Sequence, residues 1–292
     1  MVLVRHIATP EKLALIGSTI FYGDAINVLR RLDSESVQAV VTSPPYWGVR
    51  DYGITGQIGL EPTVEQYINS LVSVFSEVKR ILKKDGTLWL NIGDTYTSGN
   101  RRYRASDKKN PARGMDNGRP DTPVGLKRKD LIGLPWRVAF ALQNDGWYLR
   151  SEVIWHKPNA MPESVKDRPT RCHESIFLLA KSEKYHYDYN AVTEPAKTTQ
   201  TRGLRSVWSQ NTVPFSGNHF ATFPVELIEP CICASTRVDD YILDPFFGVG
   251  TVGLACQGLN RKFVGIELNS EYVKLAAQRL SLSQLDIYHV AC

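Results

Sequence analysis

Two short stretches hold residues whose types and spacing could do chemistry together. The first is TSPPYW, residues 42–47, which ends the apolar and β-branched run VQAVV. Proline lacks a backbone N–H, fixes its own φ and pushes the residue before it into extended backbone. Ser43 and Pro44 therefore cannot begin a helix, and the strand runs out beyond the sheet. There Ser43 offers a hydroxyl and Pro44 an outward carbonyl, Pro45 completes the corner, and Tyr46 or Trp47 supplies a flat face. Two acceptors beside an aromatic plate suit an exocyclic amino group on a nucleobase. The lone pair of such a nitrogen is delocalised into the ring. Aiming both N–H bonds at fixed acceptors favours pyramidal geometry and frees that lone pair for in-line attack, with no covalent enzyme intermediate. A bare SPPY also suits a proline turn with a structural tyrosine.

The second stretch is YILDPFFGVGTVGLACQGLNRKFVGIELN, with Gly248, Gly250 and Gly253 between a strand and a helical segment and Glu267 at the end of the next strand. GVGTVG fits the G-x-G-x-x-G pattern that cradles a dinucleotide, and Glu267 stands where an acid holds ribose hydroxyls. Asp244, just ahead of the loop, discriminates. A carboxylate there repels a pyrophosphate but favours a ligand carrying an ammonium and a sulfonium, which describes S-adenosylmethionine. The glycines alone would also serve simply to let a helix pack close to a strand.

These corners need a scaffold that brings them together. Short runs rich in β-branched or aromatic residues recur at STIFY, VQAVVTS, TLWLNIG, SEVIWHK, SIFLLAK, YILDPF and KFVGIEL. Between them VEQYINSLVSVFSEVKRILKK and LPWRVAFALQNDG carry apolar residues at helical spacing, with Pro135 suited to a first turn and Gly146 to a stop. Strand alternating with helix predicts an α/β fold, a doubly wound sheet with a mostly parallel core. The 39 residues after Gly253 have room for one more strand and a helix, so the remaining strands must come from earlier in the chain. STIFYGDA is the natural neighbour for KFVGIEL, and that pairing would carry Asp24 to the carboxyl edge where open α/β sheets bind ligands.

The chain has 292 residues and a net charge of +5, compatible with a polyanionic partner without requiring one. From Thr95 to Asp130 ten Lys/Arg stand against four Asp/Glu, so the basic balance is local. A second irregular stretch runs from about 186 to 218. Five cysteines without a CxxC pair argue against a disulfide framework or a cysteine-rich zinc site. No apolar run is long enough for a membrane span, and the composition predicts a soluble, cytoplasmic protein without a metal.

SPPY early and DPFFGVG late make the sequence resemble the permuted, or β-class, S-adenosylmethionine-dependent DNA amino-methyltransferases of bacteria, archaea and phages. Their catalytic tetrapeptide precedes the glycine-rich cofactor motif, and the likeness covers nearly the whole chain. The resemblance implies a Rossmann-like mixed sheet in circularly permuted motif order, in one methyltransferase domain over 1–292. It implies that Ser43, Pro44, Pro45 and Tyr46 hold the target amino group and base. It places Phe246, Gly248 and Gly250 around the methionine part of the cofactor, Glu267 on its ribose and Asp24 near its adenine, with Asp244 and Thr251 completing the cofactor-binding set. Thr222 and Pro224 of HFATFP would lie beside its amino-acid end. Serine at the first motif position is the pattern that accompanies cytosine N4; aspartate usually accompanies adenine N6. DNA is the implied partner, with room for a homodimer and a cognate restriction endonuclease.

The family's target-recognition region falls in the interval 186–218, which is short here and shifts interest to the basic insertion 95–130. Arg101, Arg102, Arg104, Lys108, Lys109 and Arg113, interleaved with Tyr96 and Tyr103, could neutralise phosphates, although a solvated loop would have the same composition. WHKPNAMPESVKDRPTRCHE adds Lys157, Arg168 and Arg171 as candidates for the target pocket or flanking phosphates. His156 also reads as a strand-end histidine and Cys256 as a small buried residue. Two other classes stay open: a nicotinamide-dependent oxidoreductase using GVGTVG, and a catalytically idle nucleic-acid-binding module.

Overall fold

The computed structural model describes residues 4–7, 12–15, 17–97, 121–196, 200–213, 223–280 and 286–290. In chain order the strands are β1 Val4–Ile7, β2 Thr19–Tyr22, β3 Val37–Thr42, β4 Leu82–Ile92, β5 Tyr148–His156, β6 His173–Ala180, β7 Thr193–Pro195, β8 Thr201–Gly203, β9 Val207–Ser209, β10 Tyr241–Asp244, β11 Lys262–Glu267 and β12 Asp286–Val290. The helices are α1 Ala25–Leu29, α2 Val64–Ile81, α3 Leu134–Asn144, α4 Val225–Ser235, α5 Thr251–Gly258 and α6 Ser270–Leu280.

Ten strands form one sheet in the order β1-β12-β2-β11-β10-β3-β4-β6-β5-β9. Every pairing is parallel except those of β6, which runs against both β4 and β5. Side chains alternate across the pleat. Val37 and Val40 of β3 pack with α1, α2 and α3, whereas Ala39 and Val41 pack with α4, α5 and α6. Both faces are covered, and accordingly β3 is buried along its whole length.

The helices follow from local sequence. Thr63 and Gln66 close a reciprocal capping box ahead of α2, whose Tyr67, Leu71, Val74, Phe75 and Val78 form its buried stripe. Pro135 occupies the first turn of α3, and Gly146 follows that helix at φ +87°.

β11 pairs in parallel with β2, Val264 opposite Thr19, as the position of STIFYGDA implies. The chain end carries one strand beyond expectation, since β12 inserts between β1 and β2. Helix α2 also stops sooner than its periodicity suggests: Leu82 already pairs with Val37, so LKKDG belongs to β4. The stretch 186–218 is not wholly irregular, because β7 and β8 make a small antiparallel pair and β9 joins the sheet edge beside β5.

Connections from β10 lead to β11 on one side and those from β3 to β4 on the other. The winding therefore reverses between β10 and β3, where open sheets of this kind leave a crevice at the strands' carboxyl ends.

Candidate active site

The crevice is a cavity of about 280 Å³. Ser43, Pro44, Pro45 and Tyr46 line it together with Asp244, Phe246, Gly248, Thr251, Glu267 and Asp24. The two corners touch directly: Thr42 Oγ1, at the end of β3, donates to Asp244 Oδ1 at 2.6 Å across 202 residues of sequence. The same oxygen accepts the N–H of Phe246 at 3.0 Å, holding DPF in a tight turn.

On the glycine-loop side, Glu267 bridges two loops. Its Oε2 accepts from Gly248 N at 2.7 Å and its Oε1 from Asn269 N at 2.7 Å. Gly248 stands at φ +53° in the left-handed region, which a side chain would strain. Gly253 has another duty, since a Cβ there would meet Phe247 Cζ and Leu280 Cδ2 at 2.9 Å; it is the packing glycine of the triplet.

Burial pushes the carboxyl of Glu267 up to about 7. It pushes Asp244 up to about 7 as well, with the Glu267 charge adding to the rise. Their hydrogen-bond donors are backbone amides and one hydroxyl, all neutral. Two buried carboxylates with neutral partners favour a ligand that brings hydroxyl donors and positive charge. Phe246, Tyr272, Ile54 and Ile58 supply apolar and aromatic wall around them. This set of acceptors thus fits S-adenosyl-L-methionine, with its ammonium, sulfonium and ribose hydroxyls.

On the SPPY side, Tyr46 is the flat face, because Trp47 is buried and its Nε1 donates to Glu61 O. The Tyr46 hydroxyl donates to Glu174 Oε2 at 2.8 Å and lies 3.3 Å from Ser43 Oγ. Asn91 Nδ2 reaches Glu174 Oε2 at 3.0 Å, Tyr46 Oη at 3.1 Å and Ser43 Oγ at 3.3 Å, while Asn91 Oδ1 is buried without a partner. Lys157 Nζ pairs with Glu174 Oε1 and sits 4.0 Å from the centre of the Trp155 ring. Burial works to raise the Glu174 carboxyl, but Lys157, Asn91 and Tyr46 outweigh it and hold the group below its ordinary range. Burial and the Glu174 charge push the Tyr46 phenol up.

Glu174 and Asn91 also line the cavity, and the sequence motifs do not point to them. Asn91 was visible as the one polar residue in the middle of TLWLNIG. Glu174 closes the stretch WHKPNAMPESVKDRPTRCHE, whose more numerous basic residues mask it.

The other sequence candidates distribute unevenly. Asp24 lines the cavity, and its Oδ1 caps α1 by accepting from Asn27 N at 3.0 Å. Pro224 and Gly250 are not among the lining residues, although Phe223, Val249 and Thr251 beside them are. Lys157 lines the cavity; Arg168 and Arg171 do not. Arg168 bonds Glu163 at 2.6 Å and stacks on Tyr96 with its guanidinium carbon 3.7 Å from the ring centre. Arg171 bonds His173 O and lies 3.5 Å from Asp94. Internal partners thus hold both arginines. Thr222 and the basic group Arg101, Arg102, Arg104, Lys108, Lys109 and Arg113 lie outside the described residues. The ends of that insertion are clasped, Thr97 N to Asp130 O and Ile132 N to Thr95 O. His156 Nδ1 contacts Ser209 Oγ, and Cys256 is fully buried. Among the described residues no cluster suits a metal ion, and no helix is long and apolar enough to cross a membrane.

A mixed sheet wound in this order, with a carboxylate-lined glycine loop beside an SPPY corner, defines a methyltransferase of the S-adenosyl-L-methionine-dependent DNA-modifying class. Solved structures share the fold. A DNA modification methylase from Thermus thermophilus, complexed with S-adenosyl-L-methionine, superposes with a TM-score of 0.65 at 24% identity over 94% of this chain and 99% of that one. The PvuII DNA methyltransferase, described as cytosine-N4-specific, gives 0.68 at 21% identity over 94% and 91%. The family described as DNA methylase, of the N6/N4 class, matches residues 37–278. The type II methyltransferase M.XycI of Xanthomonas campestris pv. cyanopsidis is 66% identical over 99% of this chain and 96% of its own length. M.Cfr9I of Citrobacter freundii is 63% identical over the same shares. The chain belongs to the N6/N4 DNA methylase family, and its cofactor is S-adenosyl-L-methionine. That membership sets the nicotinamide-dependent reading aside.

Proposed function

We propose that the protein is the modification enzyme of a type II system, methylating the exocyclic N4 nitrogen of a cytosine flipped out of a specific DNA sequence. The relatives' name, type II methyltransferase, supports the first part and makes a cognate endonuclease the expected partner. Ser43, at the first position of the SPPY corner, carries the choice of cytosine.

Residues act here by placement. Ser43 Oγ and the Pro44 carbonyl receive the two amino hydrogens, and the Tyr46 ring stacks on the base. Glu267 holds the ribose hydroxyls, while Asp244 fixes the DPF turn and adds negative charge near the cofactor's amino-acid end. Asp24 stands toward the adenine. Bound S-adenosyl-L-methionine supplies an electrophilic methyl on a sulfonium. The described walls are largely apolar, which keeps water from competing for it. The chain acts as one catalytic unit, and the basic insertion 95–130 and the segment 186–218 grip the duplex around the extruded base, while Lys157, predicted to join them, is held by Glu174.

The carrying observation is the single cavity that Ser43 and Tyr46 share with Asp244 and Glu267. Incubation with mixed-sequence DNA and labelled cofactor, followed by digestion and mass spectrometry of the nucleosides, should yield N4-methylcytosine. Ser43→Ala and Tyr46→Ala proteins that fold should lose the product. Recovery of N6-methyladenine alone would replace cytosine with adenine, and full activity in both variants would remove the SPPY corner from the chemistry.

A further inference from the structure

The side chains behind Ser43 form a chain with a fixed direction. Glu174 lies below its ordinary carboxyl range and ionised, so it only accepts, and the Tyr46 hydroxyl must donate to it, as the 2.8 Å contact records. With its proton committed, Tyr46 Oη is an acceptor for its remaining neighbours, Asn91 Nδ2 at 3.1 Å and the Ser43 hydroxyl at 3.3 Å. Ser43 in turn commits its only proton to Tyr46, which leaves its oxygen facing the cavity as an acceptor. Three features hold this direction. Lys157 occupies the other Glu174 oxygen, Asn91 Nδ2 shares its two N–H donors among the three oxygens within its reach, and Gly93 lies so close under the ring that a Cβ would meet Tyr46 Cε2 at 2.7 Å.

We infer that Ser43, Tyr46 and Glu174 form a hydrogen-bond relay that polarises the Ser43 oxygen toward the target's amino group and draws off the proton the amino nitrogen loses. The inference rests on the reading that Ser43 receives an exocyclic amino group; it holds equally for cytosine or adenine. Methyl transfer leaves that nitrogen with one proton in excess. One N–H bond breaks and the proton passes to Ser43 Oγ, the Ser43 proton to Tyr46 Oη, and the Tyr46 proton to Glu174 Oε2. Ser43 and Tyr46 end unchanged, Glu174 ends neutral beside Lys157, and the cavity returns the proton to water. A carboxylate held low suffices as the sink, because a quaternised ring-amino nitrogen is a far stronger acid than a carboxylic acid. Chained hydroxyls in a dry site strengthen one another as acceptors. Glu174 touches neither base nor cofactor in this scheme and is a positioning residue.

The test is a double-mutant cycle on the full chain with duplex DNA carrying the recognition site. Glu174→Gln removes the charge and leaves Lys157 unpaired; Tyr46→Phe breaks the same relay, keeps the stacking ring and strands no buried charge. Each should lower the single-turnover rate on the order of 10²-fold. Glu174→Gln combined with Tyr46→Phe should be no slower than the slower single variant. KM for DNA, cofactor affinity by calorimetry and the fluorescence of 2-aminopurine at the flipped position should stay within about threefold of the parent. Rates that multiply in the double variant, a single variant within about twofold of the parent, or a rate loss that follows the flipping signal would overturn the relay. A parent protein that methylates no amino group would instead overturn the function on which it rests.

Discussion

The two ends of the cavity hold carboxylates in opposite electrostatic states. At the glycine-loop end, Asp244 and Glu267 are pushed up to about 7, and among the described residues their hydrogen-bond donors are neutral. At the SPPY end, Glu174 is also largely withdrawn from solvent yet held low, because Lys157 accompanies it. Burial alone therefore does not set the state; the presence of a resident cation does. The first pair is incomplete until a ligand brings charge and donors, as a binding site should be. The second is complete without one, as a fixed part of the catalytic apparatus should be. An unpaired buried carboxylate costs stability in the free protein, so its presence at the glycine loop is an argument for a cationic ligand there.

The sharpest way to break this comparison is to neutralise a carboxylate in the binding half. Glu267→Gln keeps the side chain's length and one acceptor but removes the charge. Cofactor affinity measured by calorimetry should fall on the order of 10- to 100-fold. Removing the charge at Glu174 should leave that affinity in place. Equal losses in the two variants would erase the distinction between the halves.

A second comparison uses two glycines, each beneath an aromatic ring. A Cβ at Gly265 would lie 2.4 Å from Phe247 Cγ, inside the packed layer behind the glycine loop. A Cβ at Gly93 would lie 2.7 Å from Tyr46 Cε2 and 3.3 Å from Glu174 Oε1, at the cavity wall. Gly265→Ala overpacks the core and should lower stability by about 1–3 kcal/mol in chemical denaturation, with cofactor affinity falling alongside. Gly93→Ala displaces a ring that borders open space, so the melting temperature should move less while kcat falls several-fold. A large stability loss at Gly93 with kcat intact would show that Tyr46 serves the core rather than the reaction.

The sequence made one of these halves far more legible than the other. Asp244 and Glu267 follow apolar runs at the ends of β10 and β11, and Asp24 follows β2. Strand periodicity plus the rule that ligands bind at carboxyl edges placed all three. Glu174 lies at the start of a strand, where that rule does not look. It reaches the same edge because β6 is antiparallel, so that Glu174 sits opposite Trp155, near the end of β5 and just before Lys157. No local pattern announces a reversal, and the partner Tyr46 is 128 residues away. Thr42 was equally hidden: its bond to Asp244 exists only once β3 and β10 pair. Arg168 and Arg171 show the converse, since basic side chains that read as phosphate ligands are held by Glu163, Tyr96, His173 and Asp94.

The finest test is proton linkage, because it reads the state of the carboxylates without altering them. Unfolded, Asp244 and Glu267 would titrate near 3.8 and 4.5; folded, both titrate at about 7. Between roughly pH 4 and pH 7 the folded protein therefore binds protons that the unfolded chain has released. The contribution of this pair to stability falls as pH rises through that window, is fully unfavourable above it and vanishes below it. Glu174 has the opposite sign: its contribution is present above the ordinary carboxyl range and is lost as pH falls through its lower folded value. A bound cofactor, by supplying hydroxyl donors and positive charge, draws Asp244 and Glu267 back toward ionisation. Binding at about pH 6 should then release protons, whereas binding at about pH 8.5 should release almost none. Calorimetry of S-adenosyl-L-methionine binding at the lower pH in two buffers of different ionisation enthalpy reads this directly. The two apparent enthalpies should differ for the parent protein, and the difference should shrink in Glu267→Gln. Identical enthalpies in both buffers would mean that the glycine-loop carboxylates are already ionised before the ligand arrives, and the contrast between the two halves would be gone.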